Sequence, residues 1–218
     1  MDFSEILQIT LLSLRVSGTA VLLSTLIGVF IGAYIAVSNF RYRNIIITLI
    51  NTLMGMPPVL LGLLLYLLLS RSGPLGFAGI LFTPEAMILA QFLLTLPIVI
   101  SLTITAIESL PGELREFIRS LSAPKHFEVL LMLNEARIGI LGGVLAALSR
   151  AVSEVGAVII VGGNIRYYTR VLTTAIVFYT NTGEFDMVLW IGAVLTLVYF
   201  TINALLLLLK FKMGVRSD

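Results

Sequence analysis

Long apolar runs dominate this sequence, and they decide which folds the chain can adopt. Hydrophobic residues make up 58% of the 218 residues and charged residues only 12%, against about 25% charged in soluble domains. Several runs reach about twenty residues, the length that a helix needs to cross the hydrocarbon core of a bilayer. The sequence therefore predicts an all-α integral membrane protein, with residues 1–218 forming one membrane domain.

Five membrane-spanning helices are predicted from these runs. They lie at about residues 6–37, 45–69, 86–107, 138–161 and 187–209. A further apolar stretch at 172–179 is too short to cross as a helix, so it is predicted to be re-entrant or to lie at the surface. Pro57 and Pro58 interrupt the second run and Pro97 the third. They indicate either kinks that neighbouring helices accommodate or hinges along a transport path.

A polar segment at residues 108–137 separates the third and fourth runs, and its spacing predicts two short amphipathic helices with a corner at 122–124. The apolar stripe of the first helix is Leu114, Phe117, Ile118 and Leu121; that of the second is Phe127, Leu130, Leu131 and Asn134. The first helix also has a charged face. That face is either merely solvated or suited to a groove on a partner protein.

The distribution of basic residues predicts the orientation of the chain. Lysines and arginines are concentrated in the 38–44 turn, the 108–137 segment and the C-terminal tail, whereas the other side carries Arg71, Arg166 and Arg170. By the positive-inside rule, the first three regions are expected in the cytoplasm and the N-terminus outside. Arg15, in the first run, is expected near the outer interface with its guanidinium among the headgroups.

The residue inventory argues against catalysis in this chain. It has no cysteine and one histidine, and neither a Walker phosphate loop nor a His-Glu-x-x-His zinc motif occurs. The chain is therefore predicted to be a non-catalytic subunit without metal or cofactor, and any ATP–Mg would be bound by a partner subunit. The net charge of only +2 gives no indication of nucleic-acid binding.

Two charged residues in the fourth run invite two hypotheses. Arg150 and Glu154 lie four apart, so on one helix they share a face. Burying one charge near the bilayer centre costs about 3 kcal/mol on insertion scales, which makes pairing necessary. They form either a structural pair or, with the neighbouring Ser153, part of a polar path or gate. Both hypotheses stay open.

The segment 162–174 is predicted to be an outer loop rich in neutral hydrogen-bond donors. Asn164 offers an amide, and Thr169, Thr173 and Thr174 offer hydroxyl groups. Such groups could hydrogen-bond an oxyanion without trapping it, as a transport path requires. The alternative is an ordinary turn that contacts a partner protein.

Two blocks of sequence resemble a known family. Glu116-Phe117-Ile118-Arg119-Ser120-Leu121-Ser122-Ala123, followed by Leu-Met-Leu-Asn-Glu-Ala-Arg at 131–137, resembles the EAA loop of ABC-importer permeases. The family's Glu-Ala-Ala is replaced here by Glu116-Phe117-Ile118, and its central glycine by Ser122. The second block, 153–165 with 169–176, is similar to the tungstate-transport permease branch.

The resemblance implies a type I ABC-importer permease fold, with the 108–137 segment as a cytoplasmic two-helix coupling loop, in the inner membrane of a prokaryote. It implies a homodimer surrounded by membrane lipid, two ATP-binding cassette subunits and an extracytoplasmic oxyanion-binding protein. The cargo implied first is tungstate, with molybdate or sulfate as alternatives, and an ATP-independent secondary transporter is the rival class. The residues expected to couple to the ATPase are Glu116, Arg119, Ser120, Leu121, Ser122, Ala123, Pro124 and Phe127. Those expected along the path are Arg150, Ser153, Glu154, Asn164, Thr173 and Thr174.

Overall fold

A computed structural model describes residues 3–120 and 124–212, and this part of the chain is built from α-helices, as predicted. The helices are α1 (Phe3–Val37), α2 (Arg43–Met54), α3 (Pro58–Leu69), α4 (Pro84–Glu108), α5 (Gly112–Ser120), α6 (Lys125–Glu135), α7 (Arg137–Val152), α8 (Gly156–Gly162), α9 (Leu172–Thr182) and α10 (Phe185–Lys212). A short 3-10 turn at Gly76–Ala78 lies in the loop before α4.

The described helices offer three to five candidate membrane spans, and one predicted span differs from the structure. Among the described residues, α1, α4 and α10 are each long and apolar enough to cross a membrane, and α2–α3 and α6–α7 are bent pairs that could each form one further span. The predicted span at 138–161 is wrong as a single helix, because α7 ends at Val152 and α8 begins at Gly156. No proline marks this break, which falls at the polar residues Ser153 and Glu154.

The prolines of the second and third spans act differently. Helix α2 ends at Met54, because Pro57 is extended, with φ −61° and ψ 123°, and Pro58 starts a new helix. Pro97, by contrast, lies inside α4, which continues from Pro84 to Glu108 without a break. The first pair therefore separates two helices, and Pro97 is accommodated within a continuous helix.

One compact unit is assembled from the described parts of residues 1–20, 57–92 and 149–218. Its core joins α1, α9 and α10 through the buried side chains of Ile9, Leu172, Ala175, Tyr179 and Ile191. Helix α3 packs closely on α8, where a Cβ on Gly62 would lie 2.8 Å from the Cα of Ala157. Helix α9 has 11 residues, too few to cross a bilayer, in agreement with the prediction for 172–179.

The second compact unit comprises residues 21–56 and 93–148. Its core packs α5 and α6 against the C-terminal parts of α1 and α4, through Ala33, Val37, Ala106, Ile107, Ile118, Val129, Met132, Ala136 and Ile140. The stripe predicted for the second amphipathic helix is wrong, since Val129 and Met132 are buried while Phe127, Leu130 and Leu131 are exposed. The run 129–133 is apolar at every position, so spacing alone could not select the buried face.

The close approach of α3 to α8 predicts that even one methyl group at Gly62 is harmful. Because the added Cβ would meet backbone rather than a flexible side chain, we expect Gly62→Ala to lower the free energy of unfolding by about 1–3 kcal/mol. Thermal unfolding in detergent measures this loss. The matched control is Gly192→Ala in α10, where the new Cβ has no neighbour within 4 Å; equal midpoints for the two variants would contradict the packing argument.

Candidate functional site

Helices α5 and α6 present an exposed surface of mixed charge and aromatic character, which we call the α5–α6 surface. Phe117 is 61% exposed and Phe127 54% exposed, and Glu116 and Ser120 are exposed beside them. Large exposed aromatic side chains next to charged residues are typical of protein interfaces. The surface thus has the composition of a docking site, while Ile118 anchors α5 in the core below it.

The predicted coupling residues fall on this surface as far as the structure describes them. Pro124 is exposed and immediately precedes α6. Arg119 lies in α5, and its side chain is not among those described. Leu121, Ser122 and Ala123, the predicted corner, lie outside the described residues.

An ion pair fixes the base of the α5–α6 surface. The guanidinium of Arg43, at the start of α2, pairs with the carboxylate of Glu108 at the end of α4, and its Nε donates a hydrogen bond to the carbonyl of Ile35 at 3.0 Å. Arg43 and Glu108 also line a polar cavity of about 510 Å³ that Arg115 and Lys125 share. The turn after α1 is thus tied to the segment that leads into α5.

The break between α7 and α8 holds three of the predicted path residues. The guanidinium of Arg150 lies 3.8 Å from the carboxylate of Glu154; the Arg150 side chain is 40% exposed and that of Glu154 5%. The pair does not share one helix, because Glu154 lies beyond the end of α7. Ser153 is exposed, and its hydroxyl donates to backbone carbonyls of its own helix turn.

Glu154 also accepts two hydrogen bonds that hold the break, one through its side chain and one through its backbone carbonyl. Its Oε1 accepts a hydrogen bond from the N–H of Ala157 at 3.1 Å, in the first turn of α8. Its backbone carbonyl accepts a hydrogen bond from the hydroxyl of Thr173 at 2.9 Å. The break is therefore held both by this carboxylate and by a contact from α9.

The loop between α8 and α9 uses its threonine hydroxyl groups internally. Thr169 donates to the carbonyl of Gly162 at 2.5 Å and accepts from the N–H of Ile165, and Thr174 accepts from the N–H of Val171 at 3.1 Å. Asn164 has a positive φ of 50°, and within the described part of the chain its buried Oδ1 lacks a hydrogen-bond partner. These polar groups shape the loop, and Asn164 alone keeps an unpaired oxygen.

A buried charge cluster, which the sequence did not predict, lies around Glu5. Arg166 binds its carboxylate with two hydrogen bonds, Nε to Oε1 at 3.1 Å and Nη2 to Oε2 at 2.6 Å. The hydroxyl of Tyr179 donates to Oε1 at 2.9 Å, and Nη1 of Arg170 lies 3.7 Å from the same oxygen. The cluster joins the start of α1 to the α8–α9 loop and to α9.

Charge pairing explains how the Glu5 cluster exists in a protein interior. Only 3% of the Glu5 side chain is exposed, and a buried carboxylate requires counter-charges and hydrogen bonds. Burial raises the pKa of the Tyr179 phenol, and its hydrogen bond to Glu5 raises it further, so this hydroxyl stays a donor at neutral pH. The partners lie more than 160 positions from Glu5, so nothing local in the sequence pointed to them.

Across residues 3–120 and 124–212, no group of three or more histidine, aspartate or glutamate residues is placed to hold a metal ion.

Comparison with known proteins finds a matching family and similar relatives. The family described as "Binding-protein-dependent transport system inner membrane component" matches residues 25–212. The chain is 41% identical to a probable anion ABC transporter permease protein of Haloferax volcanii, over 94% of this chain and 90% of that protein. It is similar to tungstate uptake system permease proteins of Peptoclostridium acidaminophilum, at 38% identity over 93% and 89% of the two chains, and of Campylobacter jejuni, at 42% over 76% and 69%.

The Glu5 cluster predicts a large stability loss when its carboxylate is removed. Glu5→Ala leaves Arg170 buried without its counter-charge, so we expect the free energy of unfolding to fall by about 3 kcal/mol. Thermal unfolding in detergent reports the change. Glu184→Ala is the control, because it removes an exposed carboxylate from the same unit. Similar unfolding midpoints for the two variants would show that the cluster is not a stabilising element.

Proposed function

The chain belongs to the family of inner membrane components of binding-protein-dependent transport systems, and on that premise we propose that it imports a tetrahedral oxyanion, with tungstate as the first candidate. Members of this family are multi-pass, non-catalytic permease subunits of ATP-driven ABC importers with the type I fold. The match over residues 25–212 carries this conclusion, and the helical fold with its three to five candidate spans supports it.

The choice of tungstate rests on the similar proteins. Two of them are described as tungstate uptake permeases and a third as a probable anion permease, at 38–42% identity. Tungstate and molybdate share charge and tetrahedral shape, so a permease path alone discriminates weakly between them. We assign primary selection to an extracytoplasmic oxyanion-binding protein that delivers the anion.

The α5–α6 surface is our candidate for the ATPase contact. Two ATP-binding cassette subunits, carrying ATP–Mg, would dock on the two copies of this surface in a homodimer of the chain. Exposed Phe117 and Phe127 would fill the partner's groove, and Glu116, Arg119 and Ser120 would provide its polar rim. This arrangement puts the surface and the C-terminus in the cytoplasm and the N-terminus outside, consistent with the distribution of basic residues.

The break between α7 and α8 is our candidate for the translocation path. The half-exposed guanidinium of Arg150 is a donor that an oxyanion can approach, while Glu154 keeps the local charge balanced. Ser153 is exposed beside this pair, and Asn164, whose amide N–H groups are donors, lies in the α8–α9 loop. Thr173 and Thr174 support the same region through hydrogen bonds to Glu154 and Val171.

Transport then requires that nucleotide and anion each bind two states of the assembly with different affinities. Closure of the ATPase dimer would pull on α5 and α6, and their packing against α1 and α4 gives that movement a direct connection to the membrane helices. Discontinuous helices at a binding site are a recurring device of transporters, and the α7–α8 break is of that kind.

Reversing one charge on the α5–α6 surface should uncouple anion uptake from ATP hydrolysis. We expect Glu116→Lys to reduce uptake at least tenfold, with loss of ATPase association or with hydrolysis that no longer drives uptake, because an interface carboxylate becomes a cation. The measurement is uptake and ATP hydrolysis by proteoliposomes. Glu135→Lys, the same charge change at the exposed end of α6, should leave both intact. If Glu116→Lys behaves like this control, the coupling assignment is wrong.

Competition between anions identifies the cargo. With radioactive tungstate as the transported anion and the complete importer in vesicles, unlabelled tungstate and molybdate should compete strongly and sulfate weakly, because sulfate is the smaller tetrahedral anion. Dominant competition by sulfate would reassign the importer to sulfate. Uptake that continues without any ATP-binding subunit would instead indicate a secondary transporter.

A further inference from the structure

A cavity of about 480 Å³ lies in the unit that contains the Glu5 cluster, and two arginine residues line it. Arg15 of α1 and Arg170, next to α9, form part of its wall, together with Tyr167 and Tyr168 of the α8–α9 loop. Pro84 at the start of α4, together with Gln8 and apolar residues of α1, completes the lining. The cavity is separate from the α7–α8 break, which contributes no residue to its wall.

The charges around this cavity do not balance within the Glu5 cluster. Arg166 already occupies both carboxylate oxygens of Glu5, whereas Arg170 is 3.7 Å away without a hydrogen bond to it. Arg170 is only 6% exposed, and within the described residues its Nε has no hydrogen-bond partner. Arg170 also lies over the ring of Phe178 at 4.1 Å, but within the described residues it shares the carboxylate of Glu5 with a second arginine, so its charge is incompletely compensated. Arg15 adds another positive charge to the same wall, and the exposed carboxylate of Glu85, beside Pro84, is its electrostatic partner.

The loop that supplies the two tyrosine residues is held in a strained conformation. Tyr167 has φ +62°, in the left-handed region that non-glycine residues rarely adopt, and the guanidinium of Arg166 stacks on its ring at 4.7 Å. Such strain persists where the surroundings impose it and is frequently found at binding sites. Here the strained residue is one that lines the cavity.

We propose that this cavity binds a tetrahedral oxyanion between Arg15 and Arg170. Guanidinium groups suit this ligand because their planar N–H donors match the oxygens of phosphate-like anions. A dianion also supplies negative charge to the wall that contains Arg15 and Arg170. The ligand chemistry is shared by two sources, the free transported anion and the phosphate of a lipid headgroup. Naming the transported anion as the ligand rests on the proposed function, whereas the proposal of an oxyanion site in this cavity does not.

The test uses the permease purified with its ATP-binding subunits, without the anion-binding protein. Equilibrium binding of radioactive tungstate is measured for the wild type, Arg15→Gln and Arg170→Lys, and retained phospholipid is measured by mass spectrometry. We expect at least tenfold weaker tungstate binding in both variants. Arg71→Gln, in the loop after α3 and exposed, is the control and should bind as the wild type. Thermal unfolding verifies that each variant is folded. Because Arg15 is exposed, Arg15→Gln is expected to fold, and it tests the site by itself if Arg170→Lys is unstable.

Each outcome decides a different point. Weaker tungstate binding in Arg15→Gln establishes the site and names the free anion as its ligand. Loss of retained phospholipid, with tungstate binding unchanged, establishes the site and names a headgroup phosphate. If a folded Arg15→Gln protein changes neither quantity, the proposal is wrong. Failure of the proposed function would appear separately, as absence of tungstate uptake by the wild-type importer.

Discussion

The structure depends on one requirement, that backbone N–H and C=O groups away from water find partners inside the protein. Continuous helices such as α10 meet it by themselves, but the breaks at 153–155 and 163–171 do not. There, side chains take over: Glu154 accepts from the N–H of Ala157, Thr174 from that of Val171, and Ser13 of α1 from that of Leu172 at 2.8 Å. The polar residues of this apolar chain therefore concentrate where helices end.

This requirement changes how the neutral donors of the α8–α9 loop are interpreted. The hydroxyl groups of Thr169 and Thr173 point into backbone carbonyls of this chain, so they stabilise the loop that surrounds them before they can serve any ligand. Arginine side chains remain as the donors with spare capacity, since a guanidinium has five N–H groups and one carboxylate cannot use them all. We therefore propose that anion recognition falls to Arg150, already a path candidate in the sequence analysis, and to Arg15 and Arg170, for which the sequence analysis predicted only a position relative to the membrane.

The sequence predicted what local patterns determine. Apolar runs of about twenty residues predicted membrane spans, of which the described helices offer three to five candidates. The proline pair at 57–58 marked a helix break, and the polar segment 108–137 predicted a two-helix loop. It missed what depends on distance: the Glu5 cluster joins residues more than 160 positions apart, and the α7–α8 break has no proline to announce it. The buried face of α6 was misassigned because five consecutive apolar residues allow several stripes, and only packing against α1 and α4 selects Val129 and Met132.

An importer needs anion sites that attract the cargo and still release it, and shared arginine residues satisfy both needs. A buried guanidinium without a counter-charge would bind a dianion tightly, whereas a guanidinium whose N–H groups are all paired would bind it weakly. Arg150 and Arg170 lie between these limits, at 3.8 Å and 3.7 Å from Glu154 and Glu5, beyond hydrogen-bond distance. In our proposals, an arriving anion would take over the guanidinium's N–H groups, and when it left, the carboxylate would already be in place to compensate the charge. The acidic residues would thereby keep occupation of such a site reversible.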